Sequence, residues 1–225
     1  METIAQRRQA IITEINTITQ ACQRPNDSVL LLAVSKTKPA SDIALAYQAG
    51  QRHFGENYCQ EALKKQQQLT AFQITWHFIG PIQSNKTKDI AAHFNWVHSV
   101  DSLKIARRLH DQRPEHLPPL NICIQVNISD ELSKSGIALT ELADFVHAIK
   151  QFPRLNLRGV MAIPAPQDDF NLQRQPYQKL HAAVLALKDP HLTTFSFGMS
   201  GDLKAAILEG ASIVRIGTAL FGSRN

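Results

Sequence analysis

Short apolar runs alternate along the chain with segments in which apolar residues recur at helical spacing. The first segment, Met1 to Gln20, predicts an amphipathic N-terminal helix because isoleucines recur among charged residues. Eight later runs predict strands at Leu30 to Ser35, Arg52 to Gly55, Thr75 to Ile79, Trp96 to Ser99, Asn121 to Asn127, Asn156 to Ile163, Thr194 to Phe197 and Ser212 to Ile216. Six segments between them predict helices at Asp42 to Ala49, Tyr58 to Leu69, Leu103 to Asp111, Glu141 to Lys150, Tyr177 to Lys188 and Leu203 to Glu209.

This alternation of strands and helices predicts an α/β fold, a (β/α)8 TIM barrel with an additional N-terminal helix. We expect one domain over residues 1–225, since composition does not break along the chain. Ser41 and Asp101 are candidate helix N-caps, and Gly50 and Gly210 are candidate αL terminators. The alternative is an open Rossmann-like sheet, but no Gly-x-Gly-x-x-Gly follows the first strand.

The composition indicates a globular protein of the cytoplasm, with 44% hydrophobic and 19% charged residues. Its longest apolar stretch, Val29 to Val34, is far shorter than the about 20 residues that span a bilayer. Cys22, Cys59 and Cys123 are too scattered for a disulfide framework or a zinc site. The net charge of +5 permits an anionic ligand, but the 24 Lys and Arg residues form no single stripe, so we expect no nucleic-acid binding.

Candidate chemistry collects directly after the predicted strands, at what would be the C-terminal face of a barrel. These positions are Lys36 after the first strand, Glu56-Asn57-Tyr58 after the second, Gly80-Pro81 after the third with His77 inside it, and Met161-Ala162-Ile163-Pro164 at the end of the sixth. The last two strands end in Gly198-Met199-Ser200-Gly201 and Arg215-Ile216-Gly217-Thr218-Ala219. Glycines that let the backbone approach and hydroxyls that donate make both sequences suitable for a phosphate group.

Lys36 and Arg215 would approach one pocket, because closing a barrel places the eighth strand beside the first. A lone amine, an arginine and a phosphate cradle together outline pyridoxal 5′-phosphate (PLP), whose aldehyde forms a Schiff base with lysine. Arginine can only donate to an unprotonated ring nitrogen, so Arg215 would make the cofactor a weaker electron sink than an aspartate would. His77 would border the cofactor.

Six ordered motifs carry a resemblance to a known family. They are Ala33-Val34-Ser35-Lys36-Thr37-Lys38, Phe54-Gly55-Glu56-Asn57-Tyr58, Trp76-His77-Phe78-Ile79-Gly80, Ser133-Lys134-Ser135-Gly136, Gly159-Val160-Met161-Ala162-Ile163-Pro164 and Arg215-Ile216-Gly217-Thr218. Over essentially its whole length the chain resembles the pyridoxal phosphate homeostasis protein family, single-domain relatives of the alanine racemase N-terminal barrel of fold type III.

The resemblance implies PLP bound as a Schiff base by Lys36, with the other ligand contacts spread over several strand ends. It implies Ser200, Gly217 and Thr218 at the phosphate, Arg215 near the ring nitrogen, and Asn57 and Met161 lining the pocket. It also implies a cytoplasmic monomer that holds and supplies the cofactor to apo forms of PLP enzymes rather than a catalyst.

A PLP-dependent racemase, aldolase or dehydratase acting on small amino acids is the alternative function. Alanine racemases take a second base, a tyrosine, from a C-terminal domain, and we expect none here because the chain ends at Asn225. Tyr58 could stand in, but nothing in the sequence places its hydroxyl opposite Lys36.

Simpler interpretations remain for several residues. Ser35-x-x-Lys38 fits the Ser-x-x-Lys pattern of penicillin-recognising enzymes, but the companion motifs are missing. His77, His93 and His98 could suggest a metal, although histidines near apolar strands are more often satisfied core groups. Lys134 could contact the cofactor transiently as a second role.

Overall fold

The structure is a computed structural model that describes residues 2–129 and 135–223. Its strands are β1 Leu30–Val34, β2 His53–Glu56, β3 Thr75–Phe78, β4 Trp96–Val100, β5 Leu120–Asn127, β6 Ile137–Ala138, β7 Leu155–Met161, β8 Thr194–Ser196 and β9 Ile213–Ile216. Its helices are α1 Ile4–Ala21, α2 Ala40–Gln48, α3 Cys59–Gln68, α4 Thr87–His93, α5 Leu103–Gln112, α6 Leu142–Ile149, α7 Phe170–Ala186, α8 Leu203–Leu208 and α9 Thr218–Phe221. The Ser133-Lys134 part of the fourth motif lies outside the described residues.

Eight parallel strands close into a barrel, which confirms the predicted fold class and the N-terminal helix. The order runs β4-β3-β2-β1-β9-β8-β7-β5, and the pairing of β4 with β5 completes the ring. β1 lies between β2 and β9, with Leu32 opposite Arg215. The first and last barrel strands are therefore neighbours, as the sequence predicted.

Strand alternation decides which side chains enter the barrel. Val214 and Ile216 pack in the apolar cluster between the sheet and the helices, so Arg215 between them points into the barrel. The same alternation turns six more buried side chains inward: Leu32, His77, His98, Cys123, Met161 and Ser196. The interior is consequently polar along one path, and the outer layer supplies most of the apolar core.

Both glycine terminators are confirmed, but both predicted N-caps are wrong. Gly50 and Gly210 follow their helices with φ of +95° and +94°, values that favour glycine. Helix α2 begins after Pro39, whose fixed φ suits the start of a helix, so Ser41 lies within the first turn. Ser102, rather than Asp101, caps α5 by accepting from the backbone N–H of Ile105 at 3.4 Å.

Helix α7 begins seven residues before the predicted start at Tyr177. Asp169 caps it by accepting from the backbone N–H of Leu172 at 2.9 Å, and Pro176 lies inside the helix. A proline that breaks the periodic pattern misled the sequence prediction. The six predicted helices do not include α4 and α9, which are seven and four residues long.

One further strand is absent from the prediction. β6 has two residues and pairs with the end of β5, with Ile137 opposite Val126. Two residues are too few to give a periodic signal. Among the helices of the described ranges, none has both the length and the apolar character needed to cross a bilayer.

Candidate functional site

Lys36 lies in a turn that immediately follows β1 and is anchored on both sides. The Nζ of Lys65, on α3, donates to the carbonyl of Ser35 at 2.7 Å. The backbone N–H of Thr37 donates to Oε1 of Glu61, one helical turn before Lys65, at 2.6 Å. Thr37 has a φ of +63°, which is uncommon for a threonine. Contacts from α3 therefore fix the backbone on either side of Lys36, which is itself half-buried.

A buried ion pair forms the base of this anchor. Lys65 Nζ lies 2.8 Å from Oε1 of Glu56 and 2.5 Å from Oε1 of Glu61, and Ser35 Oγ donates to the same Glu56 oxygen at 2.6 Å. Burial raises the pKa of Glu56, and Lys65 and Ser35 act in the opposite direction. These contacts join the ends of β1 and β2 to α3, and they occupy one carboxylate oxygen of Glu56 within the protein.

Arg215 is 5% exposed and is held by oxygen atoms at the ends of the two preceding barrel strands. Its Nη1 donates to the carbonyl oxygen of Ser196 and, at 2.8 Å, to the Ser196 hydroxyl; its Nη2 donates to the carbonyl of Ala162 at 3.0 Å. Burial lowers the pKa of Arg215, with Tyr177 and Asp202 acting in the opposite direction. No carboxylate of the described residues forms an ion pair with the guanidinium.

Three histidines continue inward from Ser196. Its Oγ lies 2.8 Å from Nδ1 of His98, Nε2 of His98 lies 2.9 Å from Nδ1 of His77, and Nε2 of His77 lies 3.0 Å from Nδ1 of His53. The His77 ring stacks on Trp96 with 5.6 Å between centroids. His77 is therefore connected to Arg215 through His98 and Ser196, and its predicted contact with a cofactor remains a prediction.

The loop after β9 lies next to the Lys36 turn. A Cβ on Gly217 would lie 3.4 Å from the carbonyl oxygen of Val34, so this loop runs close to the end of β1. Lys38 Nζ donates to the carbonyl of Ser223 at 2.8 Å and closes the same edge. Ser200 and Thr218 are both exposed residues.

Asp202 holds the loop after β8 through two hydrogen bonds. Asp202 Oδ1 accepts from the backbone N–H of Met199 at 2.7 Å, and Oδ2 accepts from the Tyr177 hydroxyl at 2.6 Å. Burial raises the pKa of Tyr177, and the neighbouring Asp202 carboxylate adds to that effect. The ring of Tyr177 stacks on Phe197 with 4.9 Å between centroids, so α7 supports this loop through one buried tyrosine.

Asn57 and Met161 are the remaining predicted pocket residues, and Met161 is buried at the end of β7. Oδ1 of Asn57 is buried and has no hydrogen-bond partner among the described residues. Asn57 also lines a cavity of about 230 Å³ with Ile79, Gln125 and Ile163, at the ends of β2, β3, β5 and β7. A Cβ on Gly80 would lie 2.2 Å from the carbonyl oxygen of Asn57, so only glycine permits this close approach.

The structure brings most predicted site residues to one end of the barrel, and it separates others. Tyr58, considered as a second base, is 56% exposed at the start of α3. His93 ends α4, apart from the interior histidines. In the described ranges no group of three His, Cys, Asp or Glu side chains could hold a metal ion. Lys134 lies outside the described residues.

Sequence reasoning missed Lys65, Glu61 and His53. Lys65 and Glu61 have helical i, i+4 spacing, which usually means an exposed pair on a helix surface. The sequence signal for His53 was strand alternation. Phe54 faces the outer core, so the neighbouring His53 is expected to face the barrel interior.

Comparison with known proteins agrees with this architecture. The family model for the alanine racemase N-terminal domain matches residues 7–225. The pyridoxal phosphate homeostasis protein of Pseudomonas aeruginosa is 55% identical over 225 residues, which cover 100% of this chain and 97% of that protein.

Two solved structures extend the comparison. PipY of Synechococcus elongatus, with PLP bound, is 37% identical, has a TM-score of 0.84, and is matched over 98% of this chain and 100% of that chain. Alanine racemase of Corynebacterium glutamicum is 17% identical with a TM-score of 0.70, over 96% of this chain and 61% of that chain, a likeness of fold alone. With full-length relatives at this identity and a barrel of the alanine racemase N-terminal type, the chain belongs to the pyridoxal phosphate homeostasis protein family.

Proposed function

We propose that this chain binds PLP, with Lys36 as the residue that bonds to it, and serves in intracellular PLP homeostasis. The observation that carries the proposal is the position of Lys36 beside the strand that bears Arg215 and leads into Gly217-Thr218. β1 and β9 are hydrogen-bonded neighbours, and the loop after β9 runs against Val34. The PLP bound in PipY and the names of the curated relatives support the same ligand.

The described residues fit such a ligand. Lys36 would bond to it, Ser200, Gly217 and Thr218 would take the phosphate, Arg215 would donate to the ring nitrogen, and Asn57, Met161 and His77 would line or border the pocket. When bound, PLP supplies an aldehyde that reacts with primary amines. The unpartnered buried Oδ1 of Asn57 is a polar atom of the kind that a ligand satisfies.

We propose a carrier or regulator role rather than turnover. Catalysis on an amino-acid Cα by a racemase needs acid and base groups on two faces of the substrate. Tyr58 is exposed at a helix start, and Arg215, which keeps its proton, is a poor promoter of carbanion chemistry. We further infer a single domain over residues 1–225, a cytoplasmic monomer, and delivery of PLP to apo forms of PLP enzymes as its partners.

Titration with PLP, followed by absorbance, tests the binding site. The wild-type protein should develop a new visible band, Lys36→Ala should not, and Lys38→Ala is the matched control that should retain it. Lys36 occupies a turn rather than the core, so Lys36→Ala should unfold at the wild-type temperature. A band of equal strength in Lys36→Ala would contradict the assignment.

Two assays on the loaded protein separate a carrier from an enzyme. A panel of D- and L-amino acids should give no steady product formation. Mixing with an apo form of a PLP enzyme should restore that enzyme's activity as cofactor moves to it. Sustained racemisation, cleavage or elimination would instead support the enzyme alternative.

A further inference from the structure

Five side chains inside the barrel form one continuous hydrogen-bonded path that the proposed binding role does not use in full. It runs from Arg215 through Ser196, His98 and His77 to His53, with polar contacts of 2.8, 2.8, 2.9 and 3.0 Å. Ser196, His77 and His98 are completely buried, and His53 is half-buried. Placing three imidazoles in a barrel interior is costly unless each nitrogen is satisfied.

The arginine fixes the direction of every contact. A guanidinium only donates, so Ser196 Oγ accepts from Nη1 and has one proton of its own to give. The proton of this buried hydroxyl needs an acceptor. Among the described residues the other partner of the hydroxyl is Nδ1 of His98, so we assign Nδ1 as that acceptor. His98 must then carry its proton on Nε2 and donate to His77, and His77 must do the same toward His53.

The charge state of the imidazoles agrees with this direction. Burial, and next the Arg215 charge, lowers the pKa of His98 to about 3. Burial, with His98 and His53 nearby, lowers the pKa of His77 well below its ordinary value, and burial lowers that of His53. Each ring is thus neutral near pH 7, with one donor and one acceptor nitrogen.

The contacts of Arg215 leave two N–H groups for a ligand. Its five donors comprise one on Nε and two on each Nη. Nη1 donates to both oxygens of Ser196, and Nη2 donates to the carbonyl of Ala162. The Nε–H and the second Nη2–H have no partner among the described residues, so the orientation that Ser196 enforces decides where these donors point.

We propose that Ser196, His98 and His77 are positioning residues that aim Arg215 at the ligand through a one-way hydrogen-bond chain ending at His53. This inference rests on the proposed function, in which the guanidinium of Arg215 would donate to the ring nitrogen of PLP. Reversing the chain would leave the buried proton of the Ser196 hydroxyl without an acceptor among the described residues, so one direction is favoured. The chain orients the guanidinium and does not deliver a proton to the site.

The tautomers can be read in the protein without any ligand. Nitrogen-15 spectra of the imidazoles near pH 7 should show His53, His77 and His98 as neutral rings protonated on Nε2. A proton on Nδ1 of His98, or a charged ring at either buried position, would overturn the one-way chain. Exposed His116 provides the reference signal for a solvated ring.

Two substitutions of His98 then test positioning. His98→Asn keeps an acceptor near the place of Nδ1, whereas His98→Leu removes it. We expect His98→Leu to bind PLP about five- to tenfold more weakly, as one lost hydrogen bond would do, and to shift the absorbance maximum of the bound cofactor. His98→Asn should stay within about twofold of wild type in affinity, because it still orients Ser196.

Equal affinity and an unshifted band in a folded His98→Leu would overturn the positioning role. If His98→Leu fails to fold, Ser196→Ala takes its place, since it removes one hydroxyl and should weaken binding to a similar extent. If the wild-type protein does not bind PLP, the proposed function fails, while the tautomer spectra still decide whether the chain exists.

Discussion

Among the buried cations of the described residues, Lys65 and Arg215 both lie near the strand ends, and their surroundings differ in kind. Lys65 lies between two carboxylates, with Glu56 and Glu61 at 2.8 and 2.5 Å from its Nζ. Arg215 lies among neutral groups, the carbonyls of Ser196 and Ala162 and one hydroxyl. Both side chains belong to residues that are 5% exposed. The first cation is compensated within the protein and the second is not.

This difference in charge compensation suits the two cations to different roles, one in structural support and one in the proposed ligand binding. In a buried ion pair the two charges largely neutralise each other, so the pair attracts a charged ligand only weakly. An arginine that is solvated by neutral dipoles keeps its charge and its remaining donors available. Lys65 thus supports the turn that carries Lys36, and Arg215 keeps donors for the ligand proposed above.

The largest expected effect is a loss of folding stability at acidic pH. Burial holds the pKa of His98 at about 3, below the 6.5 of a solvated ring, so the unfolded chain binds more protons below pH 6.5. Stability should be fully present above pH 6.5 and fall toward pH 3, by roughly 5 kcal/mol at most from His98 alone. Glu56 acts oppositely, since its raised pKa makes its protonation favour the folded state as pH falls.

Denaturant titrations across this pH range check the acid effect. His98→Asn should flatten the loss of unfolding free energy, whereas His116→Asn, at an exposed position, should leave the slope unchanged. A wild-type protein whose stability does not fall below pH 6.5 would contradict the neutral buried rings.

The next largest loss of stability should follow from removing the cation of the Lys65 ion pair. Lys65→Met leaves Glu56 buried without its cation and should lower the unfolding free energy by about 3–5 kcal/mol. Lys64→Met, on the exposed side of the same helix, is the matched control and should change it by less than about 0.5 kcal/mol. Urea denaturation measures both, and a small change in Lys65→Met would mean that the ion pair is not needed.

A smaller loss is expected within the same site from Ser35→Ala. This change removes the 2.6 Å hydrogen bond to Glu56 but leaves the Lys65 pair in place. A hydrogen bond to a charged group contributes about 1.5–3 kcal/mol, so the midpoint of urea unfolding should fall accordingly. Glu56→Gln combined with Ser35→Ala should lose less than the sum of the two single changes, because both act on one contact.

The smallest effect on stability should come from Arg215→Met. The carbonyl of Ser196 still accepts from the backbone N–H of Ala162 at 3.3 Å, and an uncompensated buried charge is removed. We expect the unfolding free energy to change by no more than about 1 kcal/mol, while PLP affinity falls about tenfold or more. A loss of stability as large as that of Lys65→Met would erase the distinction between the two cations.

The sequence predicted the barrel because parallel strands and their covering helices follow strong local periodicities. It also placed Lys36, Arg215 and the glycine loops at the C-terminal ends of barrel strands, which all face one side. It could not predict the support of these residues. Lys65 reads as a surface lysine until the fold turns α3 toward β2, and the histidine chain joins residues from β2, β3, β4 and β8 whose contacts depend on strand order.

The most direct test of the account is to locate the lysine that bonds to PLP. Borohydride reduction of the loaded wild-type protein, followed by proteolysis and peptide mass measurement, should place one phosphopyridoxyl group on the peptide that contains Lys36. The same treatment of Lys36→Ala should leave that peptide unmodified. Modification of a different lysine in the wild-type protein, or of none, would contradict a site built around Lys36 and Arg215.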